Sequence, residues 1–449
     1  MARLFGTDGV RGVAGNDLDA VLAYDLGRAG AYVLSVGCRR PRILVGRDTR
    51  VSGPMLEAAL SAGICSVGAD VLSVGVMPTP AVAWLTRKYG CDAGVVISAS
   101  HNPMQDNGIK FFDGNGFKLP DAVEDRIEEL IRDKSHELPR VSGAEMGTIE
   151  RMERAEDDYV GFLKSLADVS ISGMHVVLDC ANGAAYRIAP RLFMELGAQV
   201  LSMYDTPDGT NINDGCGSTH MDHIQSIVRD TCADMGFAFD GDADRMLAVD
   251  GTGEVIDGDR IMAICALDMK ERGLLRGNAL VVTVMSNLGL RAAMESEGIA
   301  LSVSAVGDRY VLERMLEEGY SIGGEQSGHV IFLQDNTTGD GLVSAVRLLG
   351  AVSRSGQKLS ERKKIMEVYP QVLVNVELGS NDGKERFRDD EVISAAIQSI
   401  EQGYGRQGRV LVRPSGTEPL IRVMVEGADG DKIRQDAEAL ASLIRERLG

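Results

Sequence analysis

The feature that most constrains the fold is an order of strands and loops that recurs three times along the chain. In each series a short apolar strand runs into a polar loop, a second strand follows, and a third strand opens into a charged loop. The three series occupy residues 42–100, 175–245 and 279–329. Their spacing is too irregular for a solenoid, whose repeats keep a fixed period. The pattern therefore predicts three related α/β domains.

Helical stretches separate the predicted strands within each series. Alternation of strands and helices favours right-handed βαβ units, and hence mixed sheets that are mainly parallel. Sheets of this kind bind ligands beyond the carboxyl ends of their strands. Each predicted domain is therefore expected to contribute one loop to a site.

The last 80 or so residues follow a different pattern. Residues 369–378 and 409–427 read as antiparallel strands around a turn, and residues 430–448 keep apolar side chains on one helical face. This indicates a smaller C-terminal α+β domain. The predicted domains are residues 1–153, 154–256, 257–368 and 369–449.

The charge balance limits the partners of the chain. Its 449 residues include 47 Lys and Arg against 66 Asp and Glu, a net charge of −19. A field of that sign repels nucleic acid and anionic membrane surfaces, so neither is expected as a partner. A site for an anionic substrate must then be built locally from Arg, Lys, backbone amides or a metal ion.

Cysteine usage and hydropathy indicate a cytoplasmic protein. The seven cysteines are scattered and form no C-x-x-C pair, which argues against a disulfide framework or a zinc site and fits a reducing compartment. The N-terminal segment MARLFGTDGVRG lacks the apolar region of a signal peptide. No apolar run approaches the roughly 18 residues that span a bilayer.

Ser100 lies in the segment ISASHNP (97–103), after an apolar strand. Its hydroxyl is expected at a strand end, with His101 and Asn102 beside it. On these residues alone a simple turn is the more common interpretation. No G-x-S-x-G segment surrounds the serine, which argues against an α/β-hydrolase.

The segment DGDADR (240–245) spaces three aspartates two residues apart. In an extended loop such carboxylates share one face, and hard oxygen ligands of this kind favour Mg²⁺ or Ca²⁺. An EF-hand is excluded, because Arg245 and Gly251 occupy its required Gly and Glu positions. The alternative is a solvated acidic turn.

Two further loops carry polar groups. RPSGTEP (413–419), with Arg422 shortly after it, predicts either a phosphate-binding turn or a plain hairpin. GGEQSGH (323–329) offers Glu325, Ser327 and His329, which either bind hydroxyl groups or merely occupy a loop.

Six segments, in order, resemble the α-D-phosphohexomutase superfamily over essentially the whole chain. They are FGTDGVRG (5–12), ISASHNP (97–103), DNGIKFF (106–112), DGDADR (240–245), GEQSGH (324–329) and RPSGTEP (413–419). The resemblance implies an α/β fold of four domains around a central cleft, the first three sharing one topology.

The resemblance also implies roles for individual residues. Ser100 would be the phosphorylated serine, and with Asp240, Asp242 and Asp244 would hold Mg²⁺. The groups expected near the transferring phosphoryl group are Arg11, His101, Lys110 and His329. The expected substrate-binding residues are Asp308, Arg309, Glu325, Ser327, Arg413, Ser415, Gly416, Thr417 and Arg422.

The implied reaction passes a phosphoryl group from Ser100 to a sugar phosphate, forms a sugar bisphosphate, and returns the other phosphate to the serine. Within the superfamily, NINDGCGSTH (211–220) and VGDRYVLE (306–313) resemble the glucosamine-phosphate enzymes, which supply UDP-N-acetylglucosamine for cell-wall synthesis. A hexosamine phosphate is thus the expected substrate, and a homodimer is possible. The alternatives are a mutase for mannose or glucose phosphates, or a non-catalytic sugar-phosphate-binding protein.

Overall fold

The computed structural model describes residues 3–6, 8–35, 37, 40–378, 382–405, 407–415 and 420–448. The chain divides into two compact units. The first contains Met1–Met285 and Gly298–Ile365, and the second contains Ser286–Glu297 and Met366–Gly449. Within the described residues, no helix is both long and apolar enough to cross a membrane.

The first domain is built on a six-stranded sheet. Its strands are β1 (Val10–Val13), β2 (Arg42–Arg47), β3 (Asp70–Val76), β4 (Ala93–Ile97), β5 (Asp106–Asp113) and β6 (Ile149–Arg151). They lie in the order β1-β5-β4-β2-β3-β6, with β2 parallel to β3 and β4, and β5 antiparallel to β4. The helices of this part of the chain are α1 (Ala20–Leu34), α2 (Gly53–Ser66), α3 (Thr79–Lys88), α4 (Asp121–Arg132) and α5 (Ala155–Ser165).

The second series of strands forms a five-stranded sheet in the order β11-β10-β9-β7-β8. Its strands are β7 (His175–Asp179), β8 (Gln199–Met203), β9 (Met235–Phe239), β10 (Met246–Asp250) and β11 (Val255–Ile256). Its helices are α6 (Ile188–Glu195) and α7 (Asp222–Asp230).

The third series forms a four-stranded sheet in the order β13-β12-β14-β15. Its strands are β12 (Ala279–Thr283), β13 (Ala300–Ser304), β14 (Ile322–Gly324) and β15 (Val330–Phe332). The helices are α8 (Gly258–Glu271), α10 (Asp308–Glu318), α11 (Gly341–Ser355) and α12 (Leu359–Arg362).

The three sheets share one topology, which confirms the prediction of related α/β domains. In each, the first strand of the series lies between the second and third and runs parallel to both, and a fourth strand adds antiparallel to the third. The corresponding orders are β3-β2-β4-β5, β8-β7-β9-β10 and β13-β12-β14-β15. The loop between the third and fourth strands therefore occupies the same place in every domain.

The second unit contains the predicted antiparallel sheet, in the order β16-β18-β17. Its strands are β16 (Gln371–Glu377), β17 (Gly408–Pro414) and β18 (Leu420–Gly427), and its helices are α13 (Asp382–Asp389), α14 (Glu391–Tyr404) and α15 (Gly430–Leu448). Apolar residues of α15, among them Ile433, Leu440 and Ile444, pack in one core with Ile421 and Val423 of β18.

Helix α9 (Leu288–Ser296) belongs to this second unit, although it follows β12 in the third series. Glu426, which is fully buried, accepts hydrogen bonds from the Leu288 amide at 2.9 Å and from Arg409 Nε at 2.6 Å. A Cβ atom on Gly289 would lie 1.6 Å from the carbonyl oxygen of Glu367. The start of α9 is thus fixed by close contacts inside this unit.

Helices α1 and α2 approach each other through glycines. A Cβ atom on Gly27 would lie 2.2 Å from the carbonyl oxygen of Leu60, and one on Gly63 would lie 2.1 Å from that of Tyr24. Backbone atoms cannot move aside as a flexible side chain can, so these positions require glycine.

We expect Gly63→Ala to destabilise the protein by about 1–3 kcal/mol, because the methyl group forces the two helices apart. The matched control is Gly161→Ala in α5, where a Cβ atom meets no described atom within 4 Å. That change should stabilise the protein by about 0.5–1 kcal/mol, since alanine is the better helix former. Thermal melting of both variants measures the difference, and a Gly63→Ala protein as stable as Gly161→Ala would contradict the close crossing.

Candidate active site

Three loops in equivalent positions of the first three domains meet at one centre. The loop after β4 carries Ser100, the loop after β9 carries the three aspartates, and the loop after β14 carries His329. Ser100 Oγ donates a hydrogen bond to Asp240 Oδ2 at 2.5 Å. His329 Nδ1 lies 3.6 Å from Asp244 Oδ2. Residues that are far apart in the sequence thus form one site because the domains share one topology.

The three aspartates form a buried cluster. One carboxylate oxygen from each of Asp240, Asp242 and Asp244 lies within 4.8 Å of the others. Burial and the two neighbouring carboxylates raise the pKa of Asp240 well above its usual range. The alternative of a solvated acidic turn is wrong, because all three residues are at least 95% buried.

The donor set fits a divalent cation. Within the part of the chain that the structure describes, Oδ1 of Asp242 and Oδ1 of Asp244 are buried and accept no hydrogen bond. Uncompensated carboxylate oxygens in such a place are costly, and a hard cation that takes oxygen ligands would satisfy them.

Lys110 brings positive charge to the aspartates from β5. Its Nζ lies 3.0 Å from Asp242 Oδ2 and 4.0 Å from Asp244 Oδ2, and the residue is only 2% exposed. Burial opposes ionisation of Lys110, but the nearby carboxylates outweigh it and raise its pKa. The ammonium therefore stays charged inside the site.

Arg11 reaches the same centre through Asp8. Asp8 pairs with Arg11 and lies 3.5 Å from Lys110 Nζ. Burial alone would raise the pKa of Asp8, but Lys110, Lys118 and Arg11 hold it well below its usual range. The resemblance did not assign Asp8 or Lys118, although Asp8 lies within FGTDGVRG (5–12).

The two predicted histidines have different surroundings. His101 Nδ1 lies 3.4 Å from Ser100 Oγ and 3.2 Å from Arg245 Nη1, and burial together with Arg245 lowers the pKa of His101. Burial would also lower the pKa of His329, but Asp244 and Asp308 outweigh it and raise that pKa. In the neutral form of the ring, Nε2 accepts a hydrogen bond from the Gly339 amide at 3.1 Å, while Nδ1 faces Asp244.

Three of the predicted substrate-binding residues, Glu325, Ser327 and Asp308, lie at or near this centre. Glu325 accepts hydrogen bonds from the Gly307 amide at 3.1 Å and from Ser327 Oγ at 3.4 Å. Asp308 pairs with Lys118, and its Oδ2 lies 3.6 Å from His329 Nε2.

Arg309 makes a different set of contacts from Asp308. Its guanidinium group pairs with Asp121 at 2.5 Å and with Glu313 at 2.9 Å. Both of these carboxylates lie outside the cluster around Ser100, so the structure gives Arg309 surface partners.

In the second unit, Arg413 and Arg422 are direct cross-strand partners of β17 and β18. Burial and the Arg422 charge lower the pKa of Arg413. Like charges placed opposite each other on a sheet repel, and a bound anion would relieve that repulsion. Ser415 is buried beside them, whereas Gly416 and Thr417 lie outside the described residues.

Sequence reasoning missed several residues that hold the Ser100 loop and the aspartates. Arg50 is fully buried, pairs with Asp48 at 2.9 Å, and donates to the carbonyl oxygen of Ser100 at 3.0 Å. Thr79 Oγ1 donates to Asp242 Oδ2 at 2.7 Å. The available signal was position, because Arg50 and Thr79 follow the carboxyl ends of β2 and β3.

Family models match the chain in four consecutive parts. They describe phosphoglucomutase/phosphomannomutase alpha/beta/alpha domains I, II and III, at residues 2–137, 157–253 and 257–369, and the C-terminal domain at residues 373–443. The chain therefore belongs to the phosphoglucomutase/phosphomannomutase family, within the phosphohexomutase superfamily.

Full-length relatives indicate which enzymes of the family this chain resembles. The chain is 57% identical over its full length to the phosphoglucosamine mutase of Thermoanaerobacter sp. (strain X514) and 56% identical to that of Ruminiclostridium cellulolyticum, covering 100% of each. A crystal structure of a phosphoglucomutase/phosphomannomutase family protein from Burkholderia thailandensis has a TM-score of 0.83 and 26% identity, with 100% of this chain and 99% of that chain covered. The N-acetylphosphoglucosamine mutase of Aspergillus fumigatus shares the fold, with a TM-score of 0.72, 18% identity, and 99% and 95% coverage.

The raised pKa of Asp240 predicts that this residue destabilises the metal-free protein. The folded state binds more protons at this position than the unfolded state, so its contribution to stability falls as the pH rises above the ordinary carboxyl pKa of about 3.9. In chelator, Asp240→Asn should therefore stabilise the protein little near pH 4 and clearly more at pH 8.

The matched control for Asp240→Asn is Asp48→Asn, which removes a buried carboxylate that is paired with Arg50. Because Arg50 would then stay buried without its partner, this change should cost about 3–5 kcal/mol. Thermal melts in chelator at both pH values separate the two. A loss of stability in Asp240→Asn as large as that in Asp48→Asn would contradict the electrostatic account of the aspartate cluster.

Proposed function

We propose that this chain interconverts glucosamine 6-phosphate and glucosamine 1-phosphate through a phosphoserine at Ser100. The observation that supports this chemistry best is the 2.5 Å contact of Ser100 Oγ with Asp240 inside the aspartate cluster. The choice of amino sugar is supported by full-length similarity to phosphoglucosamine mutases.

In the first step, a hydroxyl oxygen of the sugar phosphate attacks the phosphorus atom of phosphoserine. The bond from phosphorus to Ser100 Oγ breaks as the bond to the sugar oxygen forms, and one proton passes in net terms from the sugar hydroxyl to Ser100 Oγ. The product is a sugar bisphosphate. After the bisphosphate reorients, the same step in reverse returns its other phosphate to Ser100.

Charge stabilisation lowers the barrier of each transfer, because the phosphoryl group in flight carries negative charge on its equatorial oxygens. Lys110 and Arg11 are proposed to supply positive charge there. His101 and His329 are proposed to line the reacting centre. Asp240, Asp242 and Asp244 would hold Mg²⁺, which offsets phosphoryl charge when bound.

The remaining sites are proposed to hold the sugar and its second phosphate. Glu325 would accept hydrogen bonds from sugar hydroxyls, and Ser327 would donate or accept them, with Asp308 as a further candidate. Arg413 and Arg422, with Ser415, would bind the phosphate that is not transferred. Their facing guanidinium groups suit either phosphate of the bisphosphate, because such a site recognises an anion and not a particular sugar.

Coupled assays on the 6-phosphates of glucosamine, glucose and mannose test the substrate. We expect kcat/KM for the glucosamine substrate to exceed the others by at least about tenfold, because a site built for one polar substituent rejects sugars that lack it. A higher rate with glucose or mannose phosphate would instead identify one of the alternative mutases.

Ser100→Ala is the matched control in the same assays, since it removes only the oxygen that carries the phosphoryl group. We expect it to lower activity at least about 10³-fold. Intact mass spectrometry should find a phosphoryl group on the wild type and none on the variant. Retained activity in Ser100→Ala would disprove the phosphoserine mechanism, and a wild type inactive on all three sugars would favour the binding-protein alternative.

Metal removal gives a separate prediction. Excess chelator should abolish activity and added Mg²⁺ should restore it. Calorimetry should show that Asp242→Asn weakens Mg²⁺ binding at least about tenfold, because one of three carboxylates is lost. Asp230→Asn, an exposed aspartate at the end of α7, is the matched control and should bind Mg²⁺ like the wild type. Equal Mg²⁺ affinity of the two variants would contradict the site.

A further inference from the structure

We propose that Asn213, in the loop between β8 and α7, is a positioning residue that holds the Ser100 loop for phosphoryl transfer. The expected change in kcat when Asn213 is replaced rests on the proposed function. The expected loosening of the Ser100 loop does not. The residue lies in NINDGCGSTH (211–220), a segment to which the reaction described above gives no role.

The side-chain amide of Asn213 joins the second domain to the loop of the first. Its Nδ2 donates to the carbonyl oxygen of Ser100 at 2.9 Å and to that of Asn102 at 3.0 Å. Arg50 Nη2 donates to the same two oxygens, at 3.0 and 2.8 Å. Each carbonyl oxygen has two lone pairs, so the two side chains together satisfy both carbonyls from opposite domains.

The backbone of Ser100 needs such support. Its φ is +53°, the left-handed conformation, which is unfavourable for a residue with a side chain. Strained conformations persist only where the surroundings determine them. In this conformation Ser100 Oγ reaches Asp240, so the carbonyl contacts also set the direction of the hydroxyl.

Asn213 is itself fixed in place. It has a φ of +58°, its amide donates to the carbonyl oxygen of Ala181 at 2.9 Å, and it is 92% buried. A Cβ atom on Gly241 would lie 2.8 Å from Asn213 Nδ2 and 2.6 Å from the Ser100 carbonyl oxygen. Because Gly241 separates Asp240 from Asp242, one tight contact joins the Asn213 amide, the Ser100 carbonyl and the backbone of the aspartate loop.

These contacts predict an effect on turnover more than on sugar affinity. Among the described residues, the hydrogen-bond partners of Asn213 are backbone carbonyl oxygens and not the proposed sugar-binding side chains. Loss of the amide donor would let the Ser100 hydroxyl leave its direction toward Asp240. Small misplacements of a reacting group are costly in rate.

Two variants of Asn213 test the proposal. Aspartate and glycine both tolerate the positive φ of this position. Asn213→Asp keeps the shape but replaces the donor by an acceptor, and Asn213→Gly removes the side chain. The matched control is Asn211→Asp in the same loop, because the Asn211 amide donates to the Thr206 carbonyl oxygen instead of the Ser100 loop. Thermal melting checks that all three variants are folded.

We expect both Asn213 variants to lower kcat about 10- to 100-fold with KM changed less than about twofold. Hydrogen–deuterium exchange of the amides in residues 98–105 should be faster than in the wild type, and Asn211→Asp should match the wild type in both measurements. Asn213→Gly keeps the test valid if the buried carboxylate of Asn213→Asp prevents folding.

Unchanged exchange in residues 98–105 of a folded Asn213 variant would overturn the proposal, whatever the activity. Faster exchange with unchanged kcat would also overturn it, since the residue would then be structural only. A wild type without mutase activity would refute the proposed function instead, and the exchange measurement would still decide whether Asn213 holds the loop.

Discussion

The site depends on the negative charge of three buried aspartates. Side chains from outside the aspartate loop help to balance that charge. Asp240, Asp242 and Asp244 all come from one loop of the second domain, where they repel one another. The first domain supplies an opposing charge through Lys110 and hydrogen bonds through the hydroxyl groups of Thr79 and Ser100. His329 of the third domain stands beside Asp244. No single domain could keep these groups buried, so the charge balance itself requires the three domains to be assembled.

This arrangement also explains how an acidic chain can use anionic substrates. The net charge of −19 is the sum over the whole chain, whereas Lys110, Lys118 and Arg11 all lie close to Asp8 at the site. Lys110 is almost completely buried, and there a charge acts through a lower effective dielectric than it would at the surface. A few cations that lie next to a bound phosphate therefore act on it more strongly than the average field of the chain does.

Much of the fold was readable from the sequence, because hydrophobic strands and polar loops recur in a fixed order. Three related α/β domains with mixed sheets and an antiparallel C-terminal sheet were predicted in this way and are confirmed. The aspartate cluster was readable as well, since its spacing lies within one loop. The sequence did not predict the roles of Arg50, Thr79 and Asn213, because these roles arise from contacts with residues 50 to 163 positions away. Neither composition nor local spacing shows which distant loops will be in contact in the folded protein.

Helix α9 follows β12 along the chain but belongs to the compact unit that contains the C-terminal sheet. Its first residues complete the surroundings of Glu426, a buried carboxylate that also binds Arg409 and Gln371. A recombinant fragment cut at the start of β16 would therefore lack the Leu288 amide and leave part of that carboxylate without its donor. Fragments intended to isolate the C-terminal region need residues 286–297 supplied as a separate peptide or through a redesigned linker.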